Sequence, residues 1–429
     1  MKNNQTAWSP EESLKAHSYE FRKELIPILD HIFLASGFGA SNSILIEGEN
    51  ASVLIDTLES LKGAEALKEA YAKVSSQPIK TIIYTHSHQD HVGGTSAFCG
   101  DGPVIISRRP FSDLLGPNAV SAILGKRAKR QFGMSLSSEE RLNIGLGPGE
   151  TDLRGMGEGF VPPTKQFSEE KLSLTVAGIH LELIAAPGET DDQLFVWLPD
   201  EKVLISGDNY YKSFPNLYAI RGTPYRDIAV WVESLNKMLD LEPQYLLPGH
   251  SRPIIGRDAI KEVLTNYRDA INFVLQETLK YMNQGLTPDE LVQTVKLPPQ
   301  LAEKPYLQEF YGTVEWSVRS IFTGYLGWFD GNPTNLSPLT QQHEAVKIAE
   351  LAGGAEKLYH QAQNSLAQED YQWCMQLADY LLALGEYVQA AKGMKIQACR
   401  ALARRQISAA GRNYYFTCAQ ELESELGIE

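Results

Sequence analysis

A chain of 429 residues with 39 Lys and Arg against 53 Asp and Glu, a formal charge of −14, is long enough for two or three domains, since a single core stops growing at roughly 250–300 residues. That acidic balance excludes nucleic acid as a natural partner, because such affinity comes mostly from Lys and Arg neutralising phosphates. No apolar run approaches the roughly 20 residues needed to span a bilayer, and the start, Met1 to Gln5, carries no signal-peptide core, so no membrane association and a cytoplasmic location are expected.

Residues 1 to about 28 read as a charged helix on the outside of the fold. His31–Leu34, Ser43–Glu47 and Ala51–Asp56 follow as short apolar stretches separated by tight turns, which predicts an antiparallel start. Asp56 stands as an N-cap ahead of an amphipathic helix over 59–74. Then comes the β-branched run Thr81-Ile82-Ile83-Tyr84, a buried strand, and directly behind it Thr85-His86-Ser87-His88-Gln89-Asp90-His91-Val92-Gly93-Gly94. Neutral imidazoles and ionised carboxylates are the ligands of zinc and similar divalent ions, and a cluster this dense can supply two ions. Isolated surface histidines are the alternative, and four potential ligands packed behind one hydrophobic strand argue against it.

From 100 to 165 the periodicity weakens, and Lys126-Arg127-Ala128-Lys129-Arg130 forms a basic run, read as a solvated face or as part of a substrate lid. Alternation resumes in a hairpin, 172–176 and 180–184, which runs into Pro187-Gly188-Glu189. Strands at 194–197 and 203–206 follow, the second ending at Asp208. A helix near 227–240 then leads to Tyr245-Leu246-Leu247, which ends at His250. A potential ligand appears each time a strand ends, which predicts a sandwich of two sheets with its site along one edge.

Beyond 257 the chain is helical. Helices are expected at 257–283 and 288–296, the second capped by Thr287 with Pro288 in the first helical position. Gly331 to Pro338 reads as a linker, and from 340 four or five amphipathic helices, broken at Gly353-Gly354 and Gly385, form a small helical module for association. Cys99, Cys374, Cys399 and Cys418 show no CxxC spacing; reduced thiols are expected, the last three as small hydrophobes on helices.

The loop His86-Ser87-His88-Gln89-Asp90-His91 resembles the His-x-His-x-Asp-His signature of the metallo-β-lactamase superfamily. Pro187-Gly188-Glu189, the stretch Ser213 to Gly222, Tyr311 to Trp316, Tyr325 to Pro333, Asp370 to Trp373 and Asn413-Tyr414-Tyr415 are similar to segments of its alkylsulfatases. The resemblance implies an α/β fold: an αββα metallo-β-lactamase sandwich over residues 1–335, followed by an all-α helical dimerisation domain over 336–429 and hence a homodimer. It implies two divalent metal ions, first of all zinc, with manganese and iron compatible with the same ligand types. His86, His88 and Glu189 would hold one ion, Asp90, His91 and His250 the other, and Asp208 would bridge them, while Asp56 matches an acidic position beside the metal loop.

Most of the superfamily has His where this chain has Glu189, which adds an anion; read alone, Glu189 is an ordinary turn acid. A bridged pair of ions makes hydroxide available near neutral pH, so the implied activity is hydrolysis of an anionic alkyl sulfate ester with an apolar chain to alcohol and sulfate. Asp90 and Arg221 would be catalytic, with Arg221, Asn216 and Tyr218 binding substrate; read without the family, Arg221 is a structural ion pair. Three features depart from the family. Phe132-Gly133-Met134 stands where it offers a Tyr-Gly-Asn element to the sulfate, Asp208 where it often has Glu, and a C-terminal sterol-carrier-like domain is missing. The alternatives are the same centre acting on a lactone, carboxylic ester or phosphoester, and a helical interaction protein carrying a vestigial metal fold.

Overall fold

The computed structural model describes residues 8–111 and 120–428. The expected N-terminal helix is cut short. Ser9 and Glu12 form a capping box for Pro10–His17, a 3-10 turn covers Ser18–Phe21, and the chain then enters a strand, β1, at Glu24–Leu29. The apolar run Leu25 to Leu29 overrides the helical reading, and Pro27 is tolerated because β1 is the edge strand of its sheet, where a missing N–H breaks no ladder. Residues 1–7 of the expected helix lie outside the described residues.

β2 (Ile32–Ser36), β3 (Ser43–Glu47) and β4 (Ser52–Ile55) continue antiparallel, as expected. The helix Leu61–Tyr71 crosses over to β5 (Ile79–Ile83), parallel to β4, and β6 (Val104–Arg108) and β7 (Lys165–Phe167) complete a seven-stranded sheet in sequential order. Ser60, not Asp56, caps the crossover helix. A second sheet holds β8 (Lys171–Val176), β9 (Ile179–Ala185), β10 (Leu194–Leu198), β11 (Val203–Gly207), β12 (Tyr245–Pro248) and β13 (Ile254–Ile255). β11 and β12 pair in parallel, with the helix Ile228–Asp240 between them in sequence.

The two sheets face each other across Leu34, Ile44, Ile46, Val53, Ile55 and Ile83 from the first and Leu183, Leu194, Val196, Ile205 and Leu247 from the second. On the outer face of the first sheet, Leu45, Leu54 and Ile82 meet Ala64 and Leu67 of the crossover helix. On the outer face of the second, Phe195, Leu204 and Leu246 meet Trp231 and Leu235 and the long helix Arg257–Met282. Helix, sheet, sheet, helix is therefore the layer order, and strands covered on both faces read as continuous apolar runs.

Five helices end the chain, Gln341–Ala352, Ala355–Ala367, Tyr371–Leu384, Val388–Arg404 and Ala409–Glu425, and Cys374 and Cys399 lie in their core. The last helix docks on the segments around Phe310 and Asn143: Ala409 N donates to the Phe310 carbonyl at 2.8 Å, Ser408 Oγ to the Tyr311 carbonyl at 2.8 Å, and Asn413 Nδ2 to the Asn143 carbonyl at 3.2 Å. It also meets the helix Ser121–Gln131, which carries the basic run. There Arg130 pairs with Glu421 and Arg127 Nη2 donates to the Ile220 carbonyl at 2.7 Å, while Lys126 and Lys129 stay exposed. The basic run thus joins the tail to the segment around Arg221, and only its lysines form the solvated face expected. Residues 112–119, part of the region read as a lid, lie outside the described residues.

One close approach fixes the metal loop against this frame. Gly93 N donates to the Gln89 carbonyl, and a Cβ at Gly93 would overlap the carbonyl oxygen of Glu59. Gly93→Ala is expected to destabilise the protein by about 1–3 kcal/mol through overpacking, measured by chemical denaturation; an unchanged midpoint would show that the loop yields freely.

Candidate metal centre

Four strands end at one edge of the sandwich, and each delivers a side chain there: Asp56 after β4, His86 and His88 after β5, Asp208 after β11, His250 after β12. Two backbone bonds hold the sheets together at that edge, Leu194 N to the Thr85 carbonyl at 2.9 Å and Asn42 N to the Gly249 carbonyl at 2.7 Å. His88 is the N-cap of a single helical turn, Gln89–Val92, which swings Asp90 and His91 back toward the same point.

The result is two adjoining groups of ligand atoms, His86, His88 and Asp208 in one and Asp90, His91 and His250 in the other, each with its atoms within 4.8 Å of one another. His86 Nε2 and His88 Nδ1 are 3.0 Å apart. Asp208 reaches both groups, with Oδ1 3.3 Å from His91 Nε2 and Oδ2 3.2 Å from His250 Nε2 and 3.7 Å from His86 Nε2. Asp90 Oδ2 lies 3.5 Å from His250 Nε2 and 3.7 Å from His91 Nε2. Glu189 Oε1 lies 3.8 Å from His88 Nδ1. His91 Nε2, Asp208 Oδ1 and Glu189 Oε2 are buried with no hydrogen-bond partner. Buried polar atoms are almost always partnered, so the lone pairs of His91 Nε2 and Asp208 Oδ1, 3.3 Å apart and unpartnered, fit a cation held beside them, while Glu189 stands outside both groups with Oε1 paired to Arg226.

The nitrogens turned away from this point are held as well. His91 Nδ1 donates to Asp56 Oδ2 at 2.7 Å, His250 Nδ1 to the Ala40 carbonyl at 2.8 Å, and His86 Nδ1 lies 3.0 Å from Thr85 Oγ1. Such outer contacts fix tautomer and ring orientation. Asp56 also accepts from Thr85 N at 2.9 Å and Thr85 Oγ1 at 2.8 Å, so one carboxylate anchors both ends of the loop. It does so at φ 57°, a left-handed conformation that Asp tolerates better than most residues. Its part is to hold the loop rather than to cap a helix.

Burial, with the positive charge of neighbouring histidines and arginines, holds His86 and His88 well below the usual imidazole range, in the neutral form that ligates metal. Burial alone would lower His91 and His250 too, but Asp208 and Asp90, with Asp56 acting on His91, raise both. Burial would raise Asp208, and His250, His91 and His86 instead pull it well below the carboxylate range. Glu189 is pushed up to about 7 by burial against the pull of Arg226. The acids and imidazoles hold one another's charge, and a cation binding among them displaces protons.

Arg221 is half-buried. Its backbone N donates to Gln131 Oε1 at 2.9 Å, its guanidinium lies 5.8 Å from the centre of the Phe132 ring, and its Nη1 is buried without a partner. No carboxylate pairs with it among the described residues, which removes the structural ion pair as its explanation. Its charge bears on His88, Glu189 and Tyr311. Asn216 is buried, with N donating to Tyr211 Oη at 2.7 Å and Nδ2 unpartnered, and Tyr218 is half-buried close by in the same segment.

Two residues at the site escaped the reading of the sequence. Gln131, the buried residue at the end of its helix, also donates through Nε2 to Tyr311 Oη at 3.3 Å. Arg226 is buried and pairs with Glu189 Oε1 at 2.8 Å. Neither stands in a motif; only the immediate proximity of Gln131 to the Phe132-Gly133-Met134 element hints at it. Asp56→Asn is expected to weaken zinc affinity about 10- to 100-fold by freeing the His91 ring, read by competition with a chromogenic chelator; undiminished affinity would remove Asp56 from the support of the site.

Residues 36–250 match the metallo-beta-lactamase superfamily and residues 287–425 match the family described as alkyl sulfatase dimerisation. A linear primary-alkylsulfatase from Pseudomonas sp. (strain ATCC 19151) is 37% identical over 89% of this chain and 74% of its own length. The alkyl/aryl-sulfatase BDS1 of Saccharomyces cerevisiae is 29% identical over 93% of this chain and 64% of its own length. An (R)-specific secondary-alkylsulfatase from Pseudomonas sp. is 29% identical over 93% of this chain and 62% of its own length, so the chain spans less than two thirds of these last two relatives. The solved structure of the stereoselective inverting sec-alkylsulfatase Pisa1 from Pseudomonas sp. superposes with a TM-score of 0.88 at 28% identity, covering 96% of this chain and 67% of that one. With its two-sheet sandwich, its edge of imidazoles and carboxylates and its helical tail, the chain belongs to the alkylsulfatase family of the metallo-β-lactamase superfamily.

Proposed function

We propose that this protein hydrolyses alkyl sulfate esters, taking one water and one ester to an alcohol and inorganic sulfate, at a centre of two divalent ions. His86, His88 and Glu189 serve one ion, Asp90, His91 and His250 the other, and Asp208 both. Zinc suits this mixture of imidazole and carboxylate, and manganese and iron accept the same donors. Bound there, such ions supply Lewis-acid contacts and a water acidic enough to lose its proton near neutral pH.

The observation that carries the reading is the unpartnered guanidinium nitrogen of Arg221, whose charge bears on His88 and Glu189 at the ligand cluster. A guanidinium fork suits a tetrahedral oxyanion and stays charged at any working pH. Asn216 Nδ2, buried and unpartnered, is a second donor for the sulfate, with Tyr218 beside it. Phe132, Ile220 and Trp316, half-buried and packed on a cluster with Tyr211, Tyr311 and Ala410, give the alkyl part an apolar surface. The Phe132 ring offers Arg221 a face where the family offers donors to the sulfate. Asp90, with a side chain 21% exposed against 3% or less for Asp208 and Glu189, is the carboxylate ligand open to substrate and the candidate to act at the reacting atoms.

The test is a hydrolysis screen over medium-chain alkyl sulfates, carboxylic esters, lactones and phosphodiesters with metal content measured on the same sample. The expected result is turnover of alkyl sulfates with two metal equivalents per chain, and Arg221→Met lowering kcat/KM about 10- to 100-fold through loss of charged hydrogen bonds. Clear lactone or phosphodiester cleavage without sulfate release would overturn it, and a protein free of metal after purification without chelator would favour a vestigial fold. Labelled water reports which bond breaks, by its appearance in the alcohol or in the sulfate.

The same reading divides the chain into a catalytic domain, residues 1–335, and a helical dimerisation domain, 336–429, through which two copies pair. Leu351, 85% exposed on the helix Gln341–Ala352, and the exposed Leu336, Leu339 and Val346 support this surface. Among the described residues, no helix is long and apolar enough to cross a membrane. Light scattering is expected to give a dimer that V346E/L351E converts to monomer; a dimer in both proteins would place the interface elsewhere.

A further inference from the structure

Glu189 and Arg226 form an ion pair at 2.8 Å with side chains 3% and 2% exposed. Arg226 also donates to the Asn216 carbonyl, and its Nε and Nη2 are buried without partners. It sits one residue before Asp227, which caps the helix Ile228–Asp240 by accepting from Ala229 N and Val230 N. That helix packs through Trp231 and Leu235 on the outer face of the second sheet, so a rigid element places the guanidinium. On the other side, Gly188 lets the turn approach Asn209 and Trp231 so closely that no Cβ fits, which fixes Glu189. The carboxylate is therefore shared: Oε1 faces Arg226 and lies 3.8 Å from His88 Nδ1, while Oε2 is buried and unpartnered.

The wider superfamily places a neutral imidazole where this chain has Glu189. An anion there would change the charge of the His86 and His88 subsite by one unit, and in a buried site such a change is screened little by solvent. We infer that Arg226 is a positioning residue that cancels this charge and aims Glu189, so that the carboxylate and guanidinium together act in the His86 and His88 subsite with the net charge of an imidazole. The inference rests on the proposed metal centre. Its consequence is directional. A histidine at position 189 beside an intact Arg226 leaves a buried cation with no anion against the site, and it repels metal; removing Arg226 as well restores the balance.

The experiment is a cycle of wild type, E189H, R226M and E189H/R226M, each measured for zinc affinity by competition with a chromogenic chelator and for thermal unfolding. E189H is expected to bind zinc about 10- to 100-fold more weakly than wild type, the range of outer-contact losses, and E189H/R226M to recover to within about threefold, a non-additivity that contacting residues show and independent ones do not. Should E189H fail to fold, the doubly substituted protein against wild type and R226M still reads the point. A double variant that binds zinc as weakly as E189H, or well below both wild type and R226M, overturns the inference and leaves the pair a structural ion pair. A wild-type protein that binds no zinc, manganese or iron overturns the metal centre itself.

Discussion

Carboxylates and imidazoles crowded into a volume almost closed to water can coexist only if each charge has a counterpart at hand. That constraint governs the edge of this sandwich. His91 is held by Asp56 and faces Asp208, His250 faces Asp208 and Asp90, and Glu189 is matched by Arg226. Taking such groups out of water costs several kcal/mol per ion before any partner is found. The cluster is therefore poorly stable by itself and well suited to cations, which bind where lone pairs already converge.

The fold meets the constraint by setting these side chains at the ends of buried strands. β4 and β5 in one sheet and β11 and β12 in the other run parallel in pairs and finish at the same edge, and the cross-sheet bonds at Thr85 and Gly249 lock the two ends together. Because each sheet is covered by the other sheet on its inner face and by helices on its outer face, the strands cannot slip without exposing apolar side chains. Asp56 converts that rigidity into placement by holding Thr85 and His91 with three hydrogen bonds. The same logic extends outward. The last helix braces the helix Ser121–Gln131 through Glu421 and Arg130, and Gln131 at its end holds the backbone of Arg221. A tail remote in sequence thereby braces the segment that carries Arg221.

How much of this was legible differs by element. The βαβ unit leading to the metal loop, the hairpin at 172–184 and the capped helix after Thr287 were readable because each is set by local pattern: β-branched runs, alternation, a capping residue three positions from its acid. β1 was not, since Glu24 and Pro27 break its pattern and its pairing with β2 decides the matter. Asp56 reads both as an acid beside the metal loop and as a helix cap; it bonds Thr85 and His91 of the loop, and the cap belongs to Ser60, nearer the helix it starts. The basic run looked like a solvated face because sequence does not tell that Glu421 lies opposite Arg130, 291 positions away.

The sequence by itself determined which side chains are candidates to ligate a metal, because strand-end imidazoles and carboxylates are written as short motifs: the loop from His86 to His91, and Glu189, Asp208 and His250. Only the tertiary structure decided how their charges are balanced. Whether the extra anion at Glu189 stands alone depends on Arg226, 37 positions further on, and whether Arg221 is free depends on the absence of a carboxylate beside it among the described residues. Charge compensation acts through space over a few ångströms, and no local pattern records which distant side chains the fold will bring within that range.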